Sequence, residues 1–279
     1  LIGGVYALLA SGQAMIFGVA RTVNFAQAIF AILSAYLSYT LFGDLGIDPF
    51  LSVLILIPVM FVLGYAIYAV LLRPLNKSSA ELGLLVLYAL AIGIQGVLDF
   101  SYQTNIRVIA PAYANYSWTV AGYQIPEVRF FAFLLAVVVL GALHLIRQYT
   151  KLGRALRATS QNPVAARLLG VDVDRISAVG MGLGVASAAA AGAAFGMVIP
   201  FNGNSQYDLL SKLLSIGVLG GMASMPGTIV AAVILGVIES VVAATISPDW
   251  SAFSFLVVLF AVLTVRPQGL FGRQLRGEL

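Results

Sequence analysis

Few residues in this chain have the type and spacing to do chemistry. Cysteine is absent and histidine occurs once, as His144, so neither a thiolate nucleophile nor a Cys/His metal cluster can be assembled. The patterns H-E-x-x-H, G-x-S-x-G and G-x-x-x-x-G-K-[ST] do not occur, which removes the zinc-protease helix, the nucleophile elbow and the phosphate-cradling loop. No catalytic residue, metal ligand set or cofactor is expected, and His144, one turn from a basic helix end, reads as an interfacial or packing residue. If ATP drives this protein, another subunit must bind it.

What remains is a small set of polar groups inside apolar sequence. Glu239 stands in GVIESVV, where a carboxylate is costly unless protonated or paired. It is a candidate proton site or a hydrogen-bonded group lining a pathway. Asn24 and Gln27, with Arg21 and Phe25 beside them, form a polar stretch between two apolar runs. They suit either interhelical hydrogen bonding or the wall of a substrate pathway. Ion-coupled transporters ordinarily need more than one buried ionisable group, which weighs against that class.

The elements that must position these groups are membrane helices. Of 279 residues, 61% are hydrophobic and 9% charged, against about a quarter charged in soluble domains. A span needs about 20 apolar residues, and eight windows qualify: 1–20, 24–42, 50–72, 82–99, 129–147, 176–199, 228–246 and 251–265. Residues 1–20 lack a basic leader and read as a helix, not a signal peptide. The shorter run 209–221 reads as a short or re-entrant segment ended by MASMPG. Two hairpins, 1–42 around ARTVN and 209–246, suggest an internal repeat.

Charge sets the orientation. Basic residues gather after 72 (Arg73, Lys77), in 147–175 (Arg147, Lys151, Arg154, Arg157, Arg167, Arg175) and after 265 (Arg266, Arg273, Arg276). These regions, including the C-terminus, are expected in the cytoplasm. Loops with Asp44, Asp48, Asp99 and Asp208, and with Arg107, Arg129 and Lys212 as their basic residues, are expected opposite. The net charge of +4 follows from this asymmetry, so no nucleic-acid partner is implied; the expected surrounding is lipid.

In the window 176–199, Gly180, Gly184, Ala188, Gly192 and Gly196 recur every four residues and form a stripe on which another helix can approach closely. The stripe serves static packing or an interface that slides. Between spans, TSQNPVAARLLGVDVDR (159–175) encodes a short helix. Asn162 caps it, Pro163 fits its first turn and Gly170 ends it. Val164 with Leu168, and Ala165 with Leu169, make one side apolar, with Arg167 elsewhere. Two turns are marginal alone, so the helix needs something to pack on, a partner or lipid headgroups. Asp172 or Asp174 can cap the next helix.

The blocks VNFAQA (23–28), LLRPL (71–75), TKLGRALRATSQNPVAARLLGVDVDRI (150–176), LGGMASMPGTIVAAVILGVIES (219–240) and RPQGLFG (266–272) carry a resemblance to permease subunits of ATP-binding-cassette importers, in the branched-chain (hydrophobic) amino acid permease family. The resemblance implies that Ala165, Ala166 and Gly170 occupy the Ala-Ala and Gly positions of the E-A-A-x-x-x-G loop, whose coupling helix, here Asn162 to Gly170, docks on the ATPase subunit. Val164 stands where that motif has Glu. The family's Asn-Phe-Ala-His-Gly is Asn24 to Ala28 here, with Gln27 and Ala28 as the departures.

The expected protein is thus an all-α polytopic helical bundle, about eight spans plus the short segment, forming one permease domain over 1–279 with its coupling loop at about 148–175. The resemblance implies ABC ATPase subunits, a second permease (self or paralogue), a periplasmic substrate-binding protein and the bacterial inner membrane. Hydrophobic amino acids are the expected cargo. Urea or short amides, a stand-alone ion-coupled transporter or channel, and a non-transporting assembly protein are the alternatives.

Overall fold

A computed structural model describes residues 1–20, 23–75, 80–120, 123–222 and 224–265. Arg21, Lys77, the RPQGLFG block, Arg273 and Arg276 lie outside the described residues. Twelve α-helices are described: α1 Ile2–Ala20, α2 Gln27–Leu45, α3 Pro49–Ile67, α4 Arg73–Leu75, α5 Ala80–Tyr102, α6 Glu127–Tyr149, α7 Lys151–Gln161, α8 Pro163–Leu168, α9 Val173–Val198, α10 Ser205–Gly220, α11 Met225–Thr245 and α12 Pro248–Val265. A π-turn, Tyr68–Leu72, joins α3 to α4. The chain is a polytopic helical membrane protein. Among the described residues seven helices are long and apolar enough to span, one fewer than the eight windows. The last window falls on α12, whose apolar stretch Phe253–Thr264 is shorter.

Why α9 is the axis follows from its composition. Alanine and glycine make up half of Val173–Val198, and most of its side chains are buried, as expected of a helix with no broad polar face. At Gly180 it meets Val19 of α1, and an added Cβ at Gly184 would strike Ile16 and the Gly12 carbonyl of the same helix. Higher up, Gly192 and Gly196 receive α2 at Ala31 and Ala35. Ala188, fully buried, lies between the two contacts. On a further face Gly64 of α3 accepts Val185, and Gly182 accepts Phe61. A Cβ at Gly192 would fall on the Ala31 carbonyl, so backbone meets backbone there.

α10 and α11 form the second hairpin. Its turn is Gly-driven: Gly221 has φ 79°, a left-handed value that favours glycine, and a Cβ at Gly220 would lie 2.5 Å from the Thr228 backbone. Ser224 then caps α11 by accepting from the Gly227 amide, and Pro226 sits in the first turn.

The two ends of the bundle differ. One carries Arg73, α7 and α8, linked where Arg73 and Arg167 approach Asp174 at 3.6 and 3.4 Å. Opposite lies the Tyr-rich segment between α5 and α6. It contains a two-stranded hairpin, β1 Ser117–Val120 with β2 Tyr123–Pro126, and its Arg107 pairs backbone to backbone with Phe201. Tyr113 donates to Asp48 at 2.8 Å, with the Tyr113 and Phe50 rings stacked. Burial beside Asp48 raises the Tyr113 hydroxyl's pKa above its ordinary value.

Outer faces of α3, α5, α6, α11 and α12 present Leu54, Leu85, Val138, Val237 and Phe260 away from the bundle. In water such a surface would aggregate; in a bilayer it is the ordinary lipid-facing side.

Candidate functional site

The short helix expected after Gln161 is present as α8. The Asn162 side chain accepts from the amides of Val164 and Ala165, both at 3.0 Å, and Pro163 opens the helix. At the far end Gly170 adopts φ 83°. The Val171 amide reaches back to the Ala166 carbonyl at 3.0 Å and the Gly170 amide to that of Arg167, satisfying carbonyls that the helix leaves free. Asp172, not Asp174, caps α9 by accepting from the Arg175 amide.

With both ends fixed, α8 shows its apolar side outward. Val164, Leu168 and Leu169 are 67, 84 and 83% exposed, and Ala165 is exposed too. Ala166 is the exception within the motif at 2% exposed; it is the residue that seats α8 on its own chain. Thr150 caps α7 through the Gly153 amide, and Leu156 of α7 packs on Gly180, so α8 stands on a short, braced support against α9.

Inside the bundle, the polar residues read from the sequence are partnered, Glu239 through Oε1 alone. Asn24 donates from its Nδ2 to Gln27 Oε1 at 3.1 Å and accepts from the Ala26 amide. Gln27 Nε2 donates to the Gly184 carbonyl at 2.9 Å. Both side chains are fully buried, so they pin the start of α2 to the middle of α9. Phe25 sits edge-on to Tyr88 of α5, 6.3 Å between centroids. Gln27 thus makes an interhelical hydrogen bond, while the bonds of Asn24 stay within its own turn.

Glu239 is paired, and its partner corrects the loop assignment of Lys212. Lys212 is buried within α10, and its Nζ lies 2.7 Å from Glu239 Oε1 and 3.0 Å from Asp208 Oδ2. It also donates to the Tyr6 hydroxyl at 3.1 Å and lies over the Tyr6 and Phe255 rings. The ammonium therefore joins α1, α10, α11 and α12. The spacing of Asp208 and Lys212, four apart, was the sequence signal that both belong to one helix.

Further polar residues emerge only in three dimensions. Gln95 of α5 meets Asn204, Gln206 and Tyr207 at the start of α10. Gln13 of α1 lines a narrow cleft with Phe17, Val23, Leu213, Met222 and Thr228. Among the described residues no cluster of three or more His, Cys, Asp or Glu side chains could hold a metal ion.

Comparison with known proteins fits this arrangement. A family model described as "Branched-chain amino acid transport system / permease component" matches residues 1–263. The high-affinity branched-chain amino acid transport system permease protein LivH of Salmonella typhimurium is 28% identical, over 98% of this chain and 92% of its own length. LivH of Escherichia coli K12 is 27% identical over the same shares. BraD of Pseudomonas aeruginosa, with the same descriptive name, is 27% identical over 98% and 93%. No solved structure matches the chain. A match this long, on a bundle of membrane helices, means that the chain belongs to the family of permease components of branched-chain amino acid transport systems.

Proposed function

We propose that this permease subunit carries hydrophobic and branched-chain amino acids across the bacterial inner membrane by alternating access, driven by ATP hydrolysis on separate ABC ATPase subunits. A second permease, a copy or a paralogue, completes the pathway, and a periplasmic binding protein delivers the substrate. The chain needs no cofactor of its own. The end bearing Arg73, α7 and α8 faces the cytoplasm, as its basic residues favour.

The observation that carries the reading is α8: a helix too short to be stable alone, capped at both ends, holding Leu168 and Leu169 away from its own chain. Such a surface suits insertion into an apolar groove, where burying one leucine contributes about 1.5–3 kcal/mol. ATP-driven closure of the ATPase pair then moves α8, and the α7 and α9 supports pass that motion to the spans. Val164 offers apolar contact in the place of the motif's Glu. The relatives' names favour amino acids over urea or short amides.

The test is co-purification of the ATPase with Leu168→Glu and Leu169→Glu variants, together with ATP-dependent leucine uptake. Both are expected to fall at least about tenfold while the permease remains folded; wild-type association would overturn the docking role. Ala166→Glu is a poor probe, because a carboxylate there is forced into the permease's own contact with α8.

A further inference from the structure

α7 lies across the basic end of the bundle instead of continuing a span. An added Cβ at Gly153, near its start, would meet the Ile146 and Arg147 carbonyls in the last turn of α6. Leu156, at its centre, packs on Gly180 of α9, which is itself level with Val19 of α1. Ser160, near its end, stands 3.7 Å from the Cβ position of Gly18, close to the end of α1. One helix of 11 residues thus meets three spans at one depth, which places it along the membrane plane where α6 ends.

Its two sides differ. Gly153, Leu156 and Thr159 are buried against the bundle, whereas Lys151, Arg154 and Arg157 recur every three residues on the other side. A basic amphipathic helix lying in the interface plane is the form that binds anionic membrane surfaces. Arg157 turns to the end of α6, donating to the Gln148 side chain at 2.7 Å and to its carbonyl. Arg147, next to Gln148, feels its charge. Four cations therefore gather where α6 meets α7, and among the described residues none of them forms an ion pair. Asp172 and Asp174 are engaged elsewhere, by Arg175, Arg73 and Arg167.

What the cluster adjoins identifies the anion. Of the seven long spans, α6 has the smallest share of its residues inside the bundle. One face of it runs Val137, Gly141, His144 and Gln148, all exposed, and a Cβ at Gly141 would meet nothing within 4 Å. Tyr149, 72% exposed at the end of α6, is an aromatic of the kind that marks the interface. An acyl chain laid on Val137 and Gly141 brings its headgroup to Gln148 and the cations, an approach that a soluble phosphate does not need.

We propose that the α6–α7 junction binds the phosphate of an anionic phospholipid through Arg147, Lys151, Arg154 and Arg157, with an acyl chain along α6. Because α7 supports α8, the bound lipid steadies the base of the helix assigned to ATPase docking. The site itself depends neither on that assignment nor on the cargo.

The test uses the 279-residue chain purified in a neutral detergent with equal amounts of phosphatidylglycerol and phosphatidylcholine, the lipids that stay bound being counted by native mass spectrometry. Phosphatidylglycerol is expected to be retained in preference. That preference should fall about fivefold for each cation removed, in Arg154→Gln alone and further in Lys151→Gln with Arg154→Gln. Lys151 and Arg154 are exposed, so both variants should elute as wild type on size exclusion. Arg175→Gln removes one charge at the same end and should leave the preference unchanged. Equal retention of the two lipids by the unaltered chain, or a preference that survives in the double variant, overturns the site. Displacement of phosphatidylglycerol by inorganic phosphate overturns the lipid as its occupant in favour of free phosphate. Loss of ATPase co-purification by the double variant, with its lipid preference intact, overturns it in favour of an ATPase contact on the basic side of α7.

Discussion

Lys212 and Glu239 show what a residue's surroundings add to its type. Glu239 was recognisable in the sequence as a carboxylate that needs a partner, because GVIESVV offers it none. Lys212 was not recognisable as that partner, since 27 residues separate them and only the α10–α11 hairpin brings them to 2.7 Å. Breaking such a pair leaves one charge unpaired in apolar surroundings, at about 3–5 kcal/mol. Lys212→Met is therefore expected to lower thermal stability markedly in a detergent melt, and Lys212→Met with Glu239→Gln to recover most of it. Asn162 makes a smaller claim. Its loss to alanine removes a cap of about 1 kcal/mol, so uptake should weaken while the melting temperature barely moves.

At the level of elements, periodicity was informative wherever one helix contains its own reason to exist. The stripe from Gly180 to Gly196 could be read directly, as could the Asn-Pro start and glycine end of α8. What the stripe receives could not: its lower half takes α1 and its upper half α2, because the chain turns back beside the middle of α9. Substituting Gly192 with leucine drives a side chain into the Ala31 backbone and is expected to prevent folding, judged by loss of a monodisperse peak on size exclusion. Gly217→Ala, where a Cβ meets nothing within 4 Å, is the matched control and should leave that peak unchanged. The β1–β2 hairpin escaped the sequence reading because four-residue strands in a Tyr-rich loop have too short a pattern to stand out.

For the whole molecule, the fold class and the family resemblance were readable because apolar length and a few local motifs encode them. The pairing of buried polar groups and the cleft at Gln13 were not, since they depend on which helices become neighbours. Orientation can be tested with single cysteines. One at Leu168 should react with an impermeant reagent only from the cytoplasmic side, and one at Ala112 only from the other, in right-side-out and inverted vesicles. The central helix also bears on chain order. In the most apolar 18-residue stretch of α9, 89% of the residues are buried at a mean hydropathy of 1.6, whereas in that of α6 17% are buried at 2.3. A segment rich in glycine and alanine gains little from lipid, yet the helices packed on it, α1 and α2 on its Gly stripe and α3 on a further face, all come earlier in the chain. The groove that receives α9 is thus lined by helices that all precede it in the chain.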